Sequence, residues 1–287
     1  MNLQTPKKFK MMVSQAHDVA VNVLRPISRK YDKAEHAYPK ELDMIASLID
    51  GMNEGGDGIN AGAAGASKRG DENREGIRNG TNMSTALGII EMCYGDTGLL
   101  LSMPRQGLGN SAIAAVANDE QLKRFKGIWA AMAITEPNCG SDSAAIRTTA
   151  VKDGNDYILN GEKIYVTSGA RADAVVVWAT LDRKLGRAAI KSFVVPKGTP
   201  GMTIERLEHK LGIKASDTAA ISFVDCRIGA ENLLGNAEID VAKGFAGVME
   251  TFDNTRPLVA AMAIGCAKAS LERIKILLKD HLDPHYI

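Results

Sequence analysis

"AMAITEPNCGSD", residues 131–142, sets two hydroxyls, two carboxylates, a proline and a glycine in one turn behind a short apolar run. No histidine stands near it, and its one cysteine, Cys139, has no close partner in sequence. The turn therefore matches neither a metal-ligand pattern nor a Cys/His nucleophile pattern. It lies where the texture of the chain changes.

Upstream, from residue 9 to about 50 and from 79 to 127, apolar residues recur at three and four. "LDMIASLIDGM" (42–52) and "MSTALGIIEMCYGDTGLLLSM" (83–103) read as helices. Between them, residues 51–80 are rich in glycine and charge without periodicity. This stretch reads as a surface loop, since neither GxGxxG nor GxxxxGK[ST] occurs in it. Downstream come brief alternating runs, from "IWAAMAIT" (128–135) to "AAISFVDCRI" (219–228), punctuated by Asn-Gly and Pro-Lys-Gly. They predict a compact antiparallel barrel or sandwich.

From about 241 the helical period returns, with a break expected near Asp253 to Pro257. There Thr255 is placed to cap a second segment and Pro257 to sit in its first turn. The predicted class is α+β: a helical domain over 1–127, a middle β-barrel domain over 128–236, and the start of a C-terminal helical bundle over 237–287.

A chain of 287 residues with 45% hydrophobic content has ample material for real cores. A formal charge of +1 without a long basic run argues against nucleic acid as the main partner. The cysteines at 93, 139, 226 and 266 lie far apart and no histidine stands at ligand spacing, so a reduced compartment and no metal site are expected. Without a signal-length apolar core or a membrane-spanning run, the predicted location is cytoplasmic.

Four motifs in order closely resemble the acyl-CoA dehydrogenase flavoprotein family: "AITEPNCGSD" (133–142), "NGEKIYVTSG" (160–169), "KLGIKASDTAAISFVDCRIGAENLLG" (210–235) and "GFAGVMETFDNTRPLVAAMAIGCAKASL" (244–271). The resemblance implies an N-terminal helical domain, a middle β-barrel and a C-terminal bundle. It also implies FAD as cofactor, because side chains offer no electron sink for a hydride leaving the beta carbon of a thioester.

On this resemblance, Ile134, Thr135, Gly140 and Ser141 of the turn face the flavin, and Ser141 also meets the pantetheine arm of the acyl-CoA. Tyr165 takes the place of a tryptophan that packs on the flavin, and Thr167 that of a donor to its N5. Alternation along a strand would send these two to one face. Phe252 corresponds to the residue lining the acyl slot, and Asp253 and Arg256 to those meeting the CoA arm. An arginine's permanently charged planar fork suits phosphate. Asn138 and Cys139 depart from the family's usual Gly and Ala. Cys139 is accordingly either a thiol near the flavin or a small buried side chain.

The implied reaction is alpha,beta-dehydrogenation of an acyl-CoA to the trans-2-enoyl-CoA, with an electron-transfer flavoprotein-type acceptor. It needs a carboxylate base. In one branch of the family this base precedes the Arg-Pro pair, where Thr255 stands here; in most members it lies later in the C-terminal domain. Glu136, Glu250 and Asp253 are the nearby carboxylates, and none is assigned the role. The base is expected beyond residue 287, in a chain read as cut short and inactive alone, forming a homo- or hetero-oligomer through its C-terminal helices. A non-catalytic flavin- or acyl-CoA-binding subunit of a hetero-oligomer is the alternative. A DNA-binding flavoprotein of the alkylation-response type is a further one, disfavoured by the lack of positive excess.

Overall fold

The computed structural model describes residues 5–54, 81–105, 107–240 and 245–279. The glycine-rich stretch read as a surface loop lies largely outside these. Helices come first: α1 (Lys10–Val19), joined by a π turn (Ala20–Leu24) to α2 (Arg25–Lys33), then α3 (Glu41–Glu54), α4 (Thr81–Gly95), α5 (Thr97–Leu101), α6 (Leu108–Val116) and α7 (Asp119–Arg124). Local chemistry starts the short ones. Asp96 accepts from Leu99 N at the head of α5, and Asn118 with Gln121 forms a reciprocal capping box at α7.

The strands are β1 (Ala130–Ala133), β2 (Thr149–Asp153), β3 (Asp156–Thr167), β4 (Ala174–Thr180), β5 (Ile190–Pro196), β6 (Met202–Leu207) and β7 (Thr218–Gly229). They form one seven-stranded sheet in the order β1-β4-β2-β3-β7-β6, with β5 against β4. The antiparallel pairing expected of the middle domain holds for β2–β3, β3–β7, β4–β5 and β6–β7, while two further pairings are parallel. β1 runs parallel to β4, and β2 meets β4 in parallel at Thr149 and Thr180. The chain leaves β1, makes the β2–β3 hairpin and only then returns as β4, so strands distant in sequence become neighbours that a reading of successive turns does not pair.

The Asn-Gly read as a turn is also misplaced. Asn160 and Gly161 lie inside β3, at a register shift opposite β7. A Cβ on Gly161 would come within 2.4 Å of Thr148 Oγ1, so the glycine admits a close backbone approach rather than a reversal.

A single helix, α8 (Ala246–Leu278), closes the described chain. The expected break at Asp253 to Pro257 is absent, and Thr255 caps nothing. Thr255 is buried, and its hydroxyl donates back to Thr251 O at 3.0 Å. Pro257 removes one ladder bond, but Val248, Thr251, Thr255, Leu258 and Ala261 are buried along one face, and their packing holds the helix through the proline. Gly265 permits the crossing with α4, since a Cβ there would meet Ile90 O at 2.3 Å.

Three cores result. One fills the sheet around Phe193, Phe223 and Leu159. A second joins α2, α3, α4 and α8 through Tyr31, Leu42, Ile89 and Leu258. The third lies where α6 and α8 meet the sheet, around Trp178, Ile134, Cys139 and Val248. Toward its end α8 leaves Leu271, Ile274, Ile276 and Leu277 exposed. Among the described residues, no helix is long and apolar enough to cross a membrane.

Candidate functional site: a pinned turn beside a strand bulge

The turn after β1 is closed by its own backbone: Glu136 N donates to Cys139 O at 3.0 Å, and Cys139 N to Glu136 O at 3.1 Å. Pro137 and Asn138 form its exposed tip. Glu136 points inward, 7% exposed. Its carboxylate accepts from Arg147 N (2.7 Å), Thr148 N (2.9 Å), Thr148 Oγ1 (2.6 Å) and Lys163 Nζ (2.8 Å). Lys163, on β3, is fully buried and also donates to Ile134 O at 3.1 Å. Burial alone would push the Glu136 carboxyl up. The Lys163 ammonium and the bonds from Thr148 and Arg147 outweigh it and hold the group below its usual value. Glu136 is thus an ionised anchor beneath the turn.

The anchor fixes what the turn presents. Ile164 N donates to Thr135 O at 2.9 Å, seating Thr135 against β3 one residue before Tyr165. At that point β3 bulges. The register with β7 shifts between Lys163 and Val166, and Tyr165 adopts φ +57°. The simple alternation expected for Tyr165 and Thr167 is therefore broken by the bulge. Both side chains still lie off the core: Tyr165 is 63% exposed and Thr167 half-buried, while Val166 between them is buried. A large ring held in solvent by a left-handed backbone is an uncommon arrangement for a residue of this bulk.

Ile134 is buried in the third core with Cys139, and Phe252 of α8 packs against that same cluster. Gly140 and Ser141 are exposed beyond the turn, and none of the contacts described ties them to the others. Asp253 and Arg256 are exposed on α8 and 3.9 Å apart, with the Arg256 guanidinium 5.2 Å from the centre of the Phe252 ring. An exposed i,i+3 pair of this kind contributes only a few tenths of a kcal/mol, about 0.2–0.5.

Of the two readings for Cys139, burial decides. Its thiol lies 3.7 Å from Glu136, and burial, followed by that carboxylate, pushes its pKa up, so it is a protonated buried side chain.

Sequence reasoning missed Lys163. A signal existed, because Lys163 shares its parity in β3 with the buried Tyr157 and Leu159. A charged residue between Glu162 and Ile164 reads as solvated unless its partner, 27 positions upstream, is known.

Residues 131–226 match the family profile described as acyl-CoA dehydrogenase, middle domain. The chain is 44% identical over 144 residues to an acryloyl-CoA reductase (NADH) of Anaerotignum propionicum, covering 50% of this chain and 36% of that protein. It is 32% identical over 289 residues to the mitochondrial short-chain specific acyl-CoA dehydrogenase of Rattus norvegicus, covering 94% of this chain and 63% of that one. Among solved structures, butyryl-CoA dehydrogenase from Megasphaera elsdenii superposes with a TM-score of 0.78 at 28% identity, over 99% of this chain and 72% of that one. The chain spans 36% and 63% of the length of the two curated relatives. Motif order, helix–sheet–helix architecture and these likenesses agree: the chain belongs to the acyl-CoA dehydrogenase family.

Proposed function

We propose that the face formed by Thr135, Tyr165 and Thr167 binds FAD and that the chain serves the FAD-dependent alpha,beta-dehydrogenation of an acyl-CoA to its trans-2-enoyl-CoA. The observation that carries this reading is Tyr165. A ring 63% exposed, on a bulge with φ +57°, offers a flat apolar surface, with Thr167 two residues further along β3 and Thr135 O bonded to the neighbouring Ile164 N. That donor set fits a planar heterocycle with a polar rim. FAD, when bound, supplies the electron sink for the hydride.

The chain's own residues bind and orient. Thr135 and Thr167 offer hydroxyl donors at the edges of the surface, and donors placed where negative charge develops favour the charge-separated state. Ile134 and Gly140 shape the turn, and the Lys163–Glu136 pair keeps it rigid. Phe252, packed against the third core, lines the acyl slot. Ser141, Asp253 and Arg256 meet the CoA arm, for which a guanidinium is suited.

Proton abstraction is assigned to none of Glu136, Asp253 and Glu250. Glu136 is engaged by Lys163 and three further hydrogen bonds, Asp253 faces Arg256, and Glu250 lines a cavity with Trp178 and Lys191. We place the base, the remaining flavin contacts and the helices that cover the exposed face of α8 outside the described residues, with an electron-transfer flavoprotein-type acceptor downstream. The short-chain and butyryl-CoA relatives favour a short acyl chain.

The test is anaerobic titration of the FAD-loaded chain with butyryl-CoA and crotonyl-CoA, followed in the flavin band. Saturable perturbation without rapid bleaching is expected, weakened in Arg256→Gln. No perturbation by either thioester would refute the substrate class. Bleaching at enzymatic rates would place the base within this chain.

A further inference from the structure

Glu35 and His36 follow α2, and His209 follows β6, 174 positions away from Glu35. The fold brings one potential ligand atom from each to within 4.8 Å of the others. Sequence spacing could not reveal this group, because its parts come from different layers of the molecule.

Three features mark it as prepared. Glu35 is oriented, since Oε1 accepts from Lys210 N at 2.9 Å while Oε2 lies 3.0 Å from His209 Nδ1. Two ligands of a tetrahedral metal at about 2.0–2.1 Å stand about 3.3 Å apart, so that pair needs only a small adjustment. Second, both ring nitrogens of His36 are shielded from solvent without a hydrogen-bond partner, although buried polar atoms are ordinarily satisfied. Third, His36 holds φ +68°, and its backbone is fixed by Arg171, which donates to His36 O at 3.3 Å and Ala37 O at 3.0 Å while pairing with Asp217. A strained backbone held in place by its surroundings points to function. The His36 and His209 rings lie 5.2 Å apart, and His209 is open to solvent, with its side chain 84% exposed.

We propose that Glu35, His36 and His209 form a binding site for one divalent transition-metal ion of the zinc class, with water as the fourth ligand. One carboxylate and two imidazoles suit borderline metals such as zinc. With Lys210 and Arg171 nearby, a single carboxylate is poorly suited to magnesium or calcium, which favour all-oxygen sites. The ion would clip the α2–α3 loop to the β6–β7 loop, tying the helical layer to the sheet.

The test uses the full chain without an affinity tag, stripped with a chelator and titrated with zinc against a chromophoric competitor. About one equivalent is expected to bind, and cobalt substitution should give the intense visible bands of a four-coordinate nitrogen–oxygen site. Magnesium should not compete. His36→Ala and His209→Ala should each weaken zinc binding at least about tenfold, since each removes one of three ligands. Exposed His209 can be replaced without disturbing the core, so its variant remains informative if His36→Ala fails to fold. Absence of stoichiometric zinc binding, or affinity unchanged in His209→Ala, would overturn the proposal.

Discussion

Replacing Lys163 with methionine tests whether the turn is held from beneath. The substitution nearly preserves volume and removes two donated bonds, one to Glu136 at 2.8 Å and one to Ile134 O at 3.1 Å. A hydrogen bond to a charged group is worth about 1.5–3 kcal/mol, and a stranded buried carbonyl costs about 1–3 kcal/mol. Breaking one side of a buried ion pair generally costs about 3–5 kcal/mol. Glu136 keeps the donors of Arg147 and Thr148, which sets the expectation at the low end, about 3 kcal/mol. Urea unfolding followed through buried Trp129 and Trp178 provides the assay. Lys163→Met with Glu136→Gln should cost less than the sum of the single changes, because the second removes the charge stranded by the first. A cost below about 1 kcal/mol for Lys163→Met, or strict additivity, would refute the anchor.

The same pair predicts a pH signature. The folded-state pKa of Glu136 lies below its ordinary value of 4.5, so its stabilising contribution is complete above 4.5 and fades as pH falls through the lower folded value. In Lys163→Met burial acts with less opposition and protonation relieves it, so the stability gap to wild type should narrow between neutral and acid pH; a constant gap would mean that no ion pair is involved. Gly265→Ala should destabilise by about 1–3 kcal/mol in the same assay, because the added methyl meets Ile90 O at 2.3 Å, and a neutral result would mean that α4 and α8 separate freely. The exposed Ile274 and Leu277 on α8 should drive concentration-dependent association in sedimentation velocity, abolished by Ile274→Lys with Leu277→Lys; a monomer unaffected by concentration would refute this.

The helix–strand–helix order was legible because burial imposes its period on sequence, as the buried Ile45, Ala46 and Ile49 of α3 illustrate. Strand pairing was less so. Local turns identify hairpin neighbours, whereas β1 and β4 are joined only after the β2–β3 hairpin intervenes. Pro257 misled because proline's intrinsic cost was weighed without the buried face that carries α8 past it. At the proposed site, Thr135, Tyr165 and Thr167 rest on motif resemblance, and local sequence gives no sign of the φ of +57° at Tyr165. Lys163 and the Glu35, His36 and His209 cluster were hidden for a shared reason: each acquires its chemistry from a partner supplied by tertiary structure.

The central claim, that the bulge of β3 and the turn after β1 form a flavin site, is tested most directly by titrating FAD into the chain and into Tyr165→Gly and Thr167→Ala. Tyr165→Gly is informative because glycine accepts φ +57° without strain, so the fold should be unharmed while the stacking surface disappears. The account predicts saturable quenching of flavin fluorescence by the wild-type chain, affinity lowered by at least about tenfold in Tyr165→Gly, and a smaller loss in Thr167→Ala, about 0.5–1.5 kcal/mol for one hydroxyl donor. FAD that binds Tyr165→Gly as tightly as wild type, or no saturable binding to the wild-type chain, would contradict it.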